Sequence, residues 1–348
     1  MAARTDIGIL KSLWGRRPDG QWAITDLKGL ILKPVAGSDP GFFRFERQME
    51  LMTERPSRNI HDVFRSVGSN DFLLAQSILP VVAWADGENA VRCIGTAYLI
   101  SCTGYLITAA HVLLDPVERG YGKVVRNGNL LEPGPGLHMG VFVPLNPMFG
   151  ARGYRFFGFE RSCFWGTWEG SPLVHVDDQF RYQTDVAVCK IAEMPTGAAH
   201  QPLGLSLLPV RAGERVFAFG YALMDDVPIV EYRNGAPVTR EFDHDIWVSV
   251  GEVMNVYAEN LVTKEVPAPG PSFDFRAKIP GKMSGAPILG ADGAVVRGVV
   301  SRSFSGDTHA FGSMLGPALH LPLWEGKTLR ELMERGSEGI AKVQGPGL

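Results

Sequence analysis

From Ser77 onward the chain falls into short apolar stretches broken by turn residues. Residues 78–85 run into Asp86-Gly87, 91–100 follow, and 104–109 carry the pattern to a histidine at 111. Runs of this length, bounded by Gly, Asp and Asn, predict strands, and their spacing is the rhythm of a β-barrel. A second group repeats it at 214–221, 246–253, 273–279 and 294–301, with Asn234-Gly235 placed for a hairpin and Ala291-Asp292-Gly293 for a turn. Between the groups, 193–204 is punctuated by Pro195, Gly197 and Pro202 and reads as a crossing. At the far end 328–335, apolar at Leu329, Leu332 and Met333 and followed by Gly336, predicts a short helix.

The first 72 residues stand apart from this rhythm. Residues 21–32 are strand-like after a turn at Asp19-Gly20, and 41–52 have helical character, ending before Pro56. The predicted organisation is therefore an N-terminal extension over 1–72, a first β-barrel over 73–198, and a second β-barrel with the C-terminal helix over 199–348. The extension is expected to cover a barrel face, with a regulatory arm as the alternative.

Composition narrows the class. The 348 residues are 45% hydrophobic and 20% charged, enough apolar material for one large or two small cores. A formal net charge of -3, from 34 Lys plus Arg against 37 Asp plus Glu, leaves no basic footprint for nucleic acid. No window has the apolar length a bilayer requires, and the first twenty residues show no apolar leader core. No membrane and no nucleic-acid partner is expected. Four cysteines are present, and Cys93 and Cys102, along what reads as one strand, would lie about 30 Å apart, outside disulfide reach. With Cys163 and Cys189 they are expected to be reduced, in a cytoplasmic protein; no pair has Cys-x-x-Cys spacing, so no metal site is expected.

Three stretches carry chemistry. Ile279-Pro280-Gly281-Lys282-Met283-Ser284-Gly285-Ala286-Pro287 sets a serine among small residues, where the backbone turns sharply and can aim N–H groups at a developing oxyanion. Thr108-Ala109-Ala110-His111 ends an apolar strand in two small residues that let another segment approach the imidazole. Asp185 opens the alternating run Val186-Ala187-Val188-Cys189. Asp177 and Asp178 are rival acids without such a strand after them.

At these residues the chain resembles the trypsin/chymotrypsin-like serine peptidases, whose signatures are Thr-Ala-Ala-His, an Asp-hydrophobic-Ala-hydrophobic strand and Gly-x-Ser-Gly-Gly-Pro in that order. The His, Asp, Ser order separates this clan from subtilisins and α/β-hydrolases. The resemblance spans roughly residues 75 to 335. It implies an all-β fold of two six-stranded barrels with the triad between them. It also implies that Ser284 is the nucleophile, His111 the general acid/base, Asp185 its orienter, and the backbone N–H groups of Lys282 and Ser284 the oxyanion donors. The implied activity is serine endopeptidase, hydrolysing a protein or peptide substrate without a cofactor. The implied type is the bacterial, disulfide-free one, and with few residues after the helix no PDZ domain is expected. The 74 residues from His111 to Asp185 exceed what the family needs there, and the aromatics in this surplus, Phe156, Phe157, Phe159, Trp165 and Trp168, are expected to form satellite cores.

The sequence also departs from the family pattern. Where the family has glycine two before the serine, this chain has Lys282, which predicts either an oxyanion hole collapsed at rest or a turn in which Gly281 absorbs the unusual dihedrals. Met283 replaces the aspartate that pairs with a new N-terminus in many animal members, so activation by cleavage is not expected and control by the extension or a regulatory partner protein is. Val112 stands where secreted relatives have a bridged cysteine. Substrate-binding positions implied by the resemblance are Ser301, Arg302 and Ser303; Arg276, Lys278 and Arg302 would favour an acidic side chain unless they face solvent. Two other classes remain open: a catalytically silent peptide-binding module, and an esterase using the same triad.

Overall fold

The computed structural model describes residues 77–101, 103–144, 154–169, 179–191, 202–206, 208–222, 224, 226–233, 236–239, 246–257, 268, 270–290, 295–303, 309–320, 322–335 and 343–344, with six short strands before residue 54. Two closed rings of six strands make up its body. The first consists of β7 (Ile78–Ala85), β8 (Ala90–Leu99), β9 (Tyr105–Thr108), β12 (Leu137–Pro144), β13 (Tyr154–Glu169) and β14 (Gln179–Ile191). Every neighbour is antiparallel, in the cyclic order β7, β8, β9, β14, β13, β12 and back to β7. The second comprises β16 (Arg215–Tyr221), β19 (Ile246–Tyr257), β20 (Ser272–Arg276), β21 (Pro287–Gly290), β22 (Val296–Ser303) and β23 (His309–Met314). It closes in the order β16, β19, β20, β23, β22, β21 and back to β16. Closure leaves neither sheet a long open edge.

Each ring fills with the apolar face of its own alternation. The first core gathers Val81, Leu99, Ile107, Val141, Phe164 and Val188, and the second Val216, Phe273, Phe275, Ile288 and Val300. Strand β16 serves both. Val216 and Ala218 point into the second core, while Phe217, Phe219 and Tyr221, one residue out of phase, join the first. Burying each of these rings contributes about 1.5–3 kcal/mol, so this one strand ties the barrels together. Its last residue adds a polar tie, because the Tyr221 hydroxyl donates to the Ile78 carbonyl at 3.0 Å.

The predicted strands reappear within a few residues of their expected bounds. The expected terminal helix is Leu329–Arg335, closed at its start by a capping box. There the Glu331 N–H donates to Thr328 Oγ1 at 3.1 Å, and the Thr328 N–H donates to Glu331 Oε2 at 2.8 Å. Among the described residues no helix is long and apolar enough to cross a membrane.

Two features differ from local expectation. The stretch 41–52, helical in pattern, has extended backbone at β5 (Phe42–Phe45) and β6 (Leu51–Thr53). β5 pairs with β19, Trp247 opposite Arg44. Tertiary pairing overrides local pattern there. β17 (Val227–Arg233) pairs with β18 (Ala236–Thr239), as the expected hairpin requires, yet β17 also crosses to the first barrel, pairing Val227 with Val91 on β8. Trp84, Phe142, Tyr154, Phe156, Val227 and Ile229 form a satellite core beneath that crossing. Phe157, Phe159 and Trp165 of the surplus segment join the first core instead. The side chain of Trp168 and the residues Cys102, Asp177 and Asp178 lie outside the described residues.

Candidate active site

Register brings the histidine to the aspartate. Ala187 of β14 lies opposite Thr108 of β9, so Asp185, two residues earlier on β14, overhangs the end of β9. There the chain leaves the sheet through extended Ala109 and enters a 3-10 turn at Ala110–Leu114 that carries His111 over the carboxylate. The His111 ring Nδ1 lies 2.8 Å from Asp185 Oδ2, and the His111 backbone N–H donates to Oδ1 at 3.0 Å. Two contacts on two oxygens fix both ring and main chain. Asp185 is buried and the imidazole is 19% exposed, so its second nitrogen can meet a substrate.

Burial would raise the Asp185 carboxyl, but the His111 charge, the two His111 hydrogen bonds and the Ser301 hydroxyl together hold it below the ordinary carboxylate range. The Ser301 Oγ donates to Oδ2. Ser301 also faces the serine turn, because Ser284 Oγ donates to its carbonyl at 3.1 Å. One residue of β22 thus touches both the acid and the candidate nucleophile. No hydrogen bond joins Ser284 to His111 among the described residues.

The serine turn is seated against the first barrel. The Thr96 N–H donates to the Ser284 carbonyl at 2.8 Å, and Gly285, at φ 88°, lies so close to β8 that a Cβ there would sit 2.0 Å from the Thr96 carbonyl oxygen. Only glycine fits. On the other side the Gly285 N–H donates to the Val300 carbonyl at 2.8 Å, fixing the turn to β22. The serine turn is therefore clamped between β8 and β22, one strand from each barrel.

Within that turn the Met283 N–H reaches the Pro280 carbonyl at 3.4 Å, with Lys282 at φ 80°, the signature of a type II turn. The strained residue is Lys282 itself, not Gly281, whose φ is not positive. For a non-glycine this conformation costs on the order of 1–3 kcal/mol. The N–H groups of Met283, Gly285 and Ala286 are all bonded, whereas those of Lys282 and Ser284 donate to no group among the described residues. Backbone N–H groups beside a serine hydroxyl, left without a partner among the described residues, have the chemistry to receive an oxyanion.

The remaining candidates are placed as follows. Arg302 and Arg276 are exposed, Lys278 is half-buried, and Ser303 Oγ donates to the Ile279 carbonyl at 2.8 Å. Cys93, Cys163 and Cys189 are free and buried, and burial pushes each thiol up to about 12. Among the described residues no cluster of His, Cys, Asp and Glu could hold a metal ion. Sequence reading missed Thr96. No local signal marks it, since its role comes from hydrogen bonds that join β8 to a turn 186 residues away.

Comparison with known proteins places the chain in a family. No curated protein matches the chain. Among solved structures it is similar to the active form of the Rv3671c protease from M. tuberculosis, 16% identical with TM-score 0.37, covering 79% of this chain and 87% of that one. It is also similar to the MamO protease domain from Magnetospirillum magneticum, 17% identical with TM-score 0.38, covering 70% and 94%. Mouse neuropsin, a serine protease, is 12% identical with TM-score 0.41, covering 70% and 91%. The model of the trypsin-like peptidase domain matches residues 95–296, more than half of the chain and a span that holds His111, Asp185 and Ser284; the chain belongs to that family.

Proposed function

We propose that the chain is a serine endopeptidase in which His111, Asp185 and Ser284 act as a triad. The observation that carries this reading is the Asp185–His111 pair joined through Ser301 to Ser284, beside two N–H groups that donate to no group among the described residues. Nδ1 faces the carboxylate, so it carries the ring proton and Nε2 is left basic. Nε2 takes the Ser284 hydroxyl proton as Oγ bonds to the scissile carbonyl carbon, and the carbonyl electrons move onto the oxygen facing the Lys282 and Ser284 N–H groups. The imidazolium, stabilised by Asp185, returns that proton to the leaving amine. The acyl-enzyme left on Ser284 is hydrolysed by water in the reverse sequence. The backbone of Ser301, Arg302 and Ser303 is proposed to receive the substrate chain. The three buried free thiols fit a reducing compartment such as the cytoplasm, and the extension fits a regulated effector acting on a partner protein.

A second reading, a peptide-binding module without turnover, is favoured by one observation: Ser284 Oγ is bonded to the Ser301 carbonyl rather than to His111. A fluorophosphonate probe under reducing conditions separates the two. Wild type is expected to label, with labelling abolished in both Ser284→Ala and His111→Ala. A folded wild type that does not label would favour the binding module.

A further inference from the structure

Lys282 occupies the position that a type II turn reserves for glycine or asparagine, and what holds it there is visible. Type I and type II turns differ by a flip of their central peptide. Here that peptide joins Gly281 to Lys282, and its N–H is the Lys282 N–H. The sign of φ at Lys282 therefore decides which way one of the two candidate oxyanion donors points. Glycine takes either sign freely, whereas a lysine relaxes to negative φ unless other contacts oppose it.

Those contacts come from β8. Lys282 Nζ donates to the Cys93 carbonyl, and the Lys282 carbonyl accepts from Thr96 Oγ1 at 2.9 Å. Thr96 is itself held, its carbonyl accepting from Thr108 Oγ1 at 2.7 Å and its Oγ1 from the Tyr221 N–H at 3.0 Å. Side chain and main chain of one lysine are thus fastened to the same strand three residues apart.

We propose that Lys282 is a positioning residue: its ammonium, latched onto the Cys93 carbonyl of the first barrel, holds the Gly281–Lys282 peptide with its N–H turned out as an oxyanion donor. The latch does by a tether what glycine does by conformational freedom. It also makes the donor depend on the seating of the serine turn against β8. This inference rests on the peptidase reading above.

The test compares fluorophosphonate labelling rates of wild type, Lys282→Met and Lys282→Gly, with thermal melting of each. Lys282→Met removes the ammonium and keeps the unfavourable φ, so its labelling is expected to fall about 100-fold, the loss typical of one missing oxyanion donor. Lys282→Gly lacks the ammonium but carries no φ penalty, and is expected to regain at least about ten-fold over Lys282→Met. A role confined to stability would instead lower the melting temperature of both alike, without this split. Lys282→Met labelling at the wild-type rate overturns the latch, and so does Lys282→Gly labelling as slowly as Lys282→Met. Lys282→Gln, too short to reach Cys93, replaces Lys282→Met in the comparison if that variant does not fold. A wild type that fails to label overturns the peptidase reading itself, so the two failures are distinct.

Discussion

Five residues shape this site, and only three of them announce themselves. His111, Asp185 and Ser284 sit in local contexts a strand-and-turn reading can find: small residues before the histidine, an alternating run after the aspartate, glycine beside the serine. Ser301 was legible only as a lining residue. Its hydroxyl supplies the third side-chain or backbone donor on Asp185, next to the two from His111. A hydrogen bond to a buried charge contributes about 1.5–3 kcal/mol, so Ser301→Ala is expected to slow fluorophosphonate labelling about ten-fold or more by loosening the carboxylate that orients His111. The carbonyl that meets Ser284 is untouched by this change. A labelling rate equal to wild type would remove Ser301 from the positioning of the site. Lys282 was legible as an anomaly and not as a solution, because the partner of its ammonium is a carbonyl 189 residues away and no pattern in its own neighbourhood points there.

At the scale of elements, the strands of both rings were readable because each buries one or both faces in a regular period, which leaves a local trace. Pairings between distant segments leave none. The pairing of β17 with β18 follows from the Asn-Gly pair between them in the sequence, yet nothing in that pair tells that β17 will cross to Val91 of the other barrel. The same holds for the contact between the serine turn and β8. Here the structure makes a sharp comparison between two neighbouring glycines. At Gly285 an added methyl would meet the Thr96 carbonyl oxygen at 2.0 Å and Thr108 Oγ1 at 2.3 Å, on backbone of φ 88°; at Gly281 it would meet nothing within 4 Å. Gly285→Ala must therefore push β8 away from the turn, and is expected to lower unfolding free energy by at least about 3 kcal/mol, near the upper end for single substitutions. Gly281→Ala is expected to change it by less than about 1 kcal/mol. Urea denaturation of the two variants side by side checks this; equal losses would show that the contact with β8 yields easily.

For the whole molecule, two buried carboxylates make stability depend on pH, one at the junction of the barrels and one on the wall of the second. Asp274 of β20 accepts from the Asn255 backbone N–H at 2.6 Å, the Asn255 side-chain amide at 3.1 Å and the Tyr257 hydroxyl at 3.0 Å, and lies 2.6 Å from His309 Nε2. Burial pushes its carboxyl up, but His309 and these donors outweigh that and hold it below the ordinary range, as His111 and Ser301 do for Asp185. The sign follows directly. A carboxyl that binds its proton less tightly when folded than when unfolded contributes stability fully present above its unfolded value, about 3.9, and lost as pH falls through its lower folded value. Wild type is therefore expected to lose unfolding free energy between pH 7 and pH 3. Asp274→Asn, which lies away from the triad and has no proton to gain, should be less stable than wild type at pH 7 and show a smaller loss over the same interval. The gap between the two proteins should narrow toward acid, because only wild type has that interaction to give up. Denaturation curves at the two pH values decide the matter: a gap that stays constant would mean that Asp274 titrates alike in the folded and unfolded chain, and that its hydrogen bonds hold the wall of the barrel without favouring the charge.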